Sequence, residues 1–310
     1  MAGVQSYRSD TLFCRAASVP GKILQEVILR KIIVNADDFG LTQGVNDAIV
    51  DAFAIGCVTS TTLMVNTPAT EHAAALAKQH WALGVGLHFN ITLGRPVSDA
   101  GSVKSLVDEY GFFYPRSVLA RRLLLRLVSA EHIERELNAQ FERMQALGLR
   151  ATHIDSHQHL HAFPLCFDAV AGLCAAQRIP VRMPWILNPA GVHSTVRKQL
   201  KQVVLRAMLA RNGRRWSARL HWNSGLGSIF DLGAVPETLA TNHYRQLLEA
   251  AQGDAFELMV HPARDALELV GLTRIGDFSE REWRFLMSGE LLTVINELGF
   301  TPGNYSDIPM

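Results

Sequence analysis

Along the chain, short apolar runs alternate with longer stretches whose apolar residues recur every three or four positions. Lys31-Ile32-Ile33-Val34 has the form of a buried strand. Val45, Ala48, Ile49, Ala52 and Phe53 then trace one face of a helix, which Gly56 ends. Thr59 to Val65 is rich in β-branched residues and predicts a second strand. Ala69 to Gln79 predicts a helix and Val85 to Leu87 a strand. Ile133, Leu137, Phe141, Met144 and Leu147 predict a long amphipathic helix, with Ser129 as its cap and Gly148 beyond its end. A strand over Ala151 to Asp155, a helix over Pro164 to Ala176 and a strand over Val181 to Met183 follow, then a basic helix from about Val196 to Ala210. Pro236 suits the first turn of a helix running to Ala251, and Glu257 to Val260 reads as a strand. Ser279-Glu280-Arg281-Glu282 has the form of a capping box opening a last helix that stops before Gly299.

Strand and helix alternate six or seven times, which predicts an α/β fold with mostly parallel strands. An open doubly wound sheet usually carries a Gly-rich phosphate loop after its first strand. Here that strand runs into Asn35-Ala36-Asp37-Asp38-Phe39-Gly40 instead, which favours a barrel. No repeat or low-complexity linker marks a boundary. The reading is therefore one barrel-like domain over residues 30–310, with loop insertions near 94–130 and 184–232 and an irregular extension over residues 1–29.

Composition narrows the classes. With 48% hydrophobic residues and a net charge of +1, the chain can bury a large core and lacks the signature of disorder. Thirty Lys and Arg against 29 Asp and Glu argue against a nucleic-acid partner. No apolar run approaches the ~18 residues of a membrane span. The four cysteines, Cys14, Cys57, Cys166 and Cys174, form no C-x-x-C pair and read as free thiols of a cytoplasmic protein. A homodimer is left open.

The polar residues cluster where the strands end. Asp37 and Asp38 follow the first apolar run, and adjacent acids there are often only a turn device. His88 and Asn90 follow Val85 to Leu87. Asp155 and the tract Ser156-His157-Gln158-His159-Leu160-His161 follow Thr152 to Ile154. Arg182 follows Val181, and His261 follows Leu258 to Val260. Parallel α/β folds gather their C-terminal strand ends on one face, where active sites form. Within the tract, His153, His157 and His161 align on a helix, and all of them align on a strand, so spacing leaves the choice open. Two imidazoles and a carboxylate make a ligand set for a catalytic divalent ion, zinc or magnesium. A second carboxylate then serves as general base, and a histidine opposite as general acid.

The segments IIVNADDFGLTQGVNDAI, CVTSTTLMVN, LGVGLHFNITLGRPV, THIDSHQHLHAFP and ELMVHPA together resemble the YdjC-like carbohydrate deacetylases, which include the chitooligosaccharide deacetylases. The resemblance covers about residues 31–265 and implies a distorted (β/α) barrel related to the NodB-type polysaccharide deacetylases. It implies hydrolysis of an N-acetylated amino sugar with one divalent metal ion. Position by position, it makes Asp38, His88 and His157 the metal ligands, Asp37 the base and His261 the acid. Arg182-Met183-Pro184-Trp185 is similar to an R-x-P-aromatic element whose Arg orients the base, with Trp in place of the more usual Tyr. Asn90, Asp155 and Trp185 are taken as candidate substrate contacts. The substrate is an oligosaccharide or related glycan, with a glycolipid as an alternative. Two rival functions are a different metal hydrolase (a phosphoesterase or cyclic amidohydrolase) and a non-catalytic sugar-binding protein on the same scaffold. Arg121, Arg122 and Arg126 among leucines read as solvated or partner-facing helix surface rather than an anionic-lipid patch, and the second basic zone of Arg206, Arg211, Arg214, Arg215 and Arg219 as solvated surface, with a lid over an anionic sugar substrate as the alternative.

Overall fold

The structure is a computed structural model and describes residues 30–192 and 196–308. The expected extension over 1–29, with Cys14, lies outside the described residues.

Among the described residues, seven strands, all paired in parallel, carry the fold: β1 (Arg30–Phe39), β2 (Ser60–Leu63), β3 (Gly84–Phe89), β4 (Ile154–Ser156), β5 (Gly225–Gly227), β6 (Ala255–Val260) and β7 (Phe300–Pro302). Six follow the order β4-β3-β2-β1-β6-β5, and β7 pairs with the start of β1. The sheet curls until its outer members approach each other. Val181 stands between them, bridged in parallel to Ile154 on one side and to Trp222 on the other. The result is the expected distorted barrel. The predicted strand Val181 to Met183 shrinks to this single bridging residue, because Pro184 has no N–H to extend a ladder.

The helices between strands are α1 (Gln43–Ala54), α2 (Thr70–Gln79), α3 (Arg116–Leu124), α4 (Ala130–Ala146), α5 (Pro164–Gln177), α6 (Val196–Trp216), α7 (Thr241–Glu249), α8 (Gly276–Met287) and α9 (Glu290–Glu297). Thr42 caps α1 by accepting the Val45 N–H at 3.2 Å. Ser129 does stand at the N-cap of α4, but its side chain makes no capping bond. The expected insertions carry α3 and α6. Pro236 lies ahead of α7 rather than in its first turn. The predicted last helix is two, broken at Gly289 with φ 74°. Its supposed capping box is interior to α8, and Glu282 is used elsewhere, as described below.

β1 shows how the core is divided. Ile32, Val34 and Ala36 belong to the main core, while Ile33 joins Tyr305 and Ile308 in a small separate cluster. By the two-residue period of a strand, Ile33, Asn35 and Asp37 share the opposite face. The C-terminal tail thus plugs one end of the barrel, and the interior turns polar toward the other. β5 escaped the apolar pattern because it is glycine: a Cβ on Gly225 or Gly227 would meet the Phe256 ring at 2.8 Å. Cys57, Cys166 and Cys174 are buried and free.

Candidate active site

The C-terminal ends of β1, β3, β4 and β6, with the Val181 bridge, converge. His88 on β3 is in register with Asp155 on β4, and Ala36 on β1 with Val260 on β6. Consecutive strand residues should face opposite ways, yet Asp37 and Asp38 both reach this end. Between the pairs Ala36–Thr61 and Phe39–Leu63, β1 has one residue more than β2, and Asp38 takes a left-handed φ of 68°. This bulge turns Asp38 back toward the mouth.

Asp38 is the hub of one half of the site. Its Oδ1 lies 2.9 Å from His157 Nδ1 and 3.3 Å from His88 Nε2. Burial opposes ionisation of Asp38, but the two imidazoles outweigh it and hold the carboxyl well below the usual range. His88 Nδ1 is bonded to Asp155 Oδ1 at 2.7 Å, which fixes the ring and leaves Nε2 toward Asp38. Burial pushes His88 toward neutrality, while Asp155 and Asp38 outweigh it and raise its pKa to about 10.

Asp37 is the hub of the other half. Arg182 donates to both of its oxygens, at 2.6 and 2.8 Å, and Asn35 Nδ2 donates at 2.8 Å. Burial again opposes ionisation, and the guanidinium again wins, leaving Asp37 ionised. Arg182 is fully buried and also pairs with Asp155 Oδ2 and Glu257 Oε1, each at 2.5 Å. Tyr305, in the plug, donates its hydroxyl to the other oxygen of Glu257. Burial outweighs the pull of Arg182 at Glu257 and raises its pKa to about 7.

His261, just past β6, shares a small cleft with Asp37 and Asp38, walled by Leu41, Leu269 and Ile275. Its Nδ1 is buried and bonded to no protein group. Burial lowers its pKa against the pull of the two aspartates, so the ring rests neutral. Its backbone N–H is held at 2.6 Å by Glu282, which also accepts the Tyr244 hydroxyl at 2.9 Å.

The histidine tract resolves by backbone geometry. Gln158 and His159 both have φ 55°, so the chain breaks into a turn after Ser156. Ser156 Oγ closes that turn by accepting the His161 N–H at 2.9 Å, and His161 Nε2 meets the Arg182 carbonyl. His153 is buried beneath, stacked on Tyr305 with ring centroids 3.7 Å apart. Within the tract, His157 is the residue set against Asp38.

Two of the three candidate substrate contacts are turned to protein partners. Asp155 is fully buried between His88 and Arg182. Asn90 is fully buried too, donating to Asn66 and to the Leu93 carbonyl while its own oxygen accepts the Thr92 and Leu93 N–H groups. Trp185 is half-buried and donates to the Asn223 carbonyl at 2.8 Å. Sequence reasoning missed Glu257, Tyr305 and Glu282. An acid inside an otherwise apolar strand, Phe256-Glu257-Leu258-Met259-Val260, was the available signal for the first.

The donor set fits a divalent cation. Asp38, His88 and His157 are all buried and offer ligand atoms within 4.8 Å of one another. Asp37, His88 and Asp155 are equally close, but Arg182 already supplies the cation against both of those carboxylates. The Asp155–His88 bond is the outer support that metal-ligating histidines ordinarily have.

A parallel α/β barrel with such a trio at its strand ends has counterparts among known proteins. It belongs to the YdjC-like protein family, whose profile matches residues 31–297. Over 285 residues it is 33% identical to a chitooligosaccharide deacetylase of Yersinia enterocolitica, covering 89% of this chain and 98% of that one. It is 52% identical over 160 residues to a carbohydrate deacetylase of Brevibacillus brevis, a stretch that is 51% of this chain and only 61% of the relative. A solved structure from Enterococcus faecalis V583, provisionally named a cellobiose-phosphate cleavage protein, aligns with a TM-score of 0.73 at 26% identity, over 89% of this chain and 98% of that one.

Proposed function

We propose that the chain is a metal-dependent carbohydrate N-deacetylase, hydrolysing the acetamide of an N-acetylated amino sugar to acetate and a free amine. The observation that carries this reading is the buried trio Asp38, His88 and His157 beside an aspartate that is clamped separately by Arg182. The deacetylase names of the two relatives support it.

Asp38, His88 and His157 would hold the ion. When bound, a divalent ion polarises the acyl carbonyl and lowers the pKa of water, so that a nucleophile forms near neutral pH. Asp37 accepts the proton that water loses. The Arg182 clamp keeps Asp37 ionised and orients it, at the expense of basicity, so the proton does not stay there. His261 rests neutral, so the proton it gives to the departing nitrogen is one collected during the reaction. Both residues line the same cleft, which offers a path for that hand-over. Without protonation the leaving group would be an amide anion, far too basic to depart. Asp155 and Glu257 position His88 and Arg182, while Glu282 positions the His261 backbone.

The test is acetate release from a panel of N-acetylated sugars, each assayed with zinc, magnesium, cobalt and no metal. Metal-dependent acetate release is expected. Turnover of phosphate esters or cyclic amides with no acetate from any sugar would overturn the reading.

A further inference from the structure

The two inserted helices leave apolar side chains bare. On α3 and the turn after it, Val118, Leu124, Leu125 and Leu127 are exposed, Leu124 to 67%, while Leu119 and Leu123 face the core. On α6, Leu205, Leu209 and Trp216 pack inward. Leu200, Val203 and Val204 recur at i, i+3 and i+4 on the other side and are exposed, Leu200 to 66%. An amphipathic helix with one buried face needs no second apolar face unless something covers it.

Charge says what would cover it. Residues 116–127 contain four arginines and residues 196–216 seven lysines and arginines, with no Asp or Glu in either stretch. The rest of the chain is net acidic, with 19 basic residues against 29 acidic ones. Arg211 and Arg215 are tied to Asp168, but Arg121, Arg126, Lys201 and Arg206 stand exposed beside the bare leucines and valines. A second copy would set this face against itself in a two-fold dimer and bring like charges together. An anionic bilayer surface instead takes apolar side chains at the acyl boundary and cations at the headgroups. Both helices touch the His157–Ala162 turn.

We propose that the exposed apolar and basic faces of α3 and α6 form a docking surface for an anionic membrane. Docking is peripheral, since no helix among the described residues is long and apolar enough to cross a membrane. The proposal gives the solvated or partner-facing side of Arg121, Arg122 and Arg126 a lipid partner, because Leu124 and Leu125 beside them are exposed. The proposal does not rest on the deacetylase reading, because binding is read without turnover.

The experiment is flotation of the full chain with phosphatidylglycerol–phosphatidylcholine vesicles against pure phosphatidylcholine. The chain should float with the anionic vesicles, stay behind with the neutral ones and be released by high salt. The substitutions K201Q and R206Q should each lower partitioning about fivefold. L200S/V203S and L124S/L125S should each lower it further while keeping the parent Tm, which separates docking from misfolding. Free glycerol phosphate should leave the protein on the vesicles. Four results would overturn the proposal: no flotation with anionic vesicles, variants of either helix floating like the parent, displacement by glycerol phosphate, or a parent dimer that L200S/V203S renders monomeric.

Discussion

On one side of the barrel mouth an aspartate is held by two imidazoles, and on the other its chain neighbour is held by a guanidinium. Asp38 and Asp37 are both buried, both ionised and separated by one peptide bond. What distinguishes them is whether the partner's positive charge can be given up. An imidazolium can lose its proton and offer the same nitrogen to a metal ion, whereas Arg182 cannot deprotonate in a protein. A cation can therefore replace protons around Asp38 but has no place to enter around Asp37. In the proposed mechanism, partner chemistry, more than the carboxylates themselves, is what would give one side to metal holding and the other to proton transfer.

The comparison can be broken at its most exposed joint, His157. His157→Ala should abolish both bound metal and acetate release, read by elemental analysis and assay. Full metal content in that variant, with loss of metal in His153→Ala or His159→Ala, would move the ligand elsewhere in the tract. One step outward, Asp155→Asn should weaken metal affinity by about 10–100-fold while leaving kcat near the parent at saturating metal. A metal titration separates this from a direct role in chemistry. On the guanidinium side, Tyr305→Phe removes the hydroxyl that Glu257 accepts in a buried setting. It should cost about 1–3 kcal/mol of stability, seen as a lower Tm, with metal content unchanged.

The smallest expected effect concerns pH. Burial outweighs the bonds from the His261 N–H and Tyr244 and raises Glu282 from an ordinary 4.5 to about 7. The native state therefore holds a proton that the unfolded chain has lost between those values. Stability from this group is full below about pH 4.5, falls as pH rises through the window and levels off above about pH 7. Glu282→Gln removes the titration, so its Tm relative to the parent should climb across that window. A constant difference would mean Glu282 keeps an ordinary pKa.

Much of this was legible in the sequence because it rests on local rules. Apolar runs marked β1 to β4 and β6, and helical periodicity marked α1, α2, α4 and α5. The ends of those strands pointed to Asp37, Asp38, His88, His157, Arg182 and His261, which the fold brings to one mouth. What stayed hidden depends on tertiary partners. β5 is three residues with two glycines, chosen for clearance against Phe256 rather than for strand propensity. Ser279 to Glu282 has the form of a helix start, yet Glu282 is buried mid-helix because His261 and Tyr244, far away in sequence, need an acceptor. Asp155 and Asn90 read as cleft residues because they follow strands, and only packing shows both side chains turned to protein partners.

The division of labour between the adjacent aspartates is tested most directly by Asp37→Asn and Asp38→Asn, purified side by side. For each, bound metal per chain and kcat for acetate release are measured together. Asp37→Asn should retain the metal and lose kcat by about 10²–10⁴-fold, the usual contribution of a positioned acid–base group. Asp38→Asn should lose the metal itself, with activity recovering only at high added metal. The opposite pattern, with Asp37→Asn stripped of metal and Asp38→Asn fully loaded, would contradict the account.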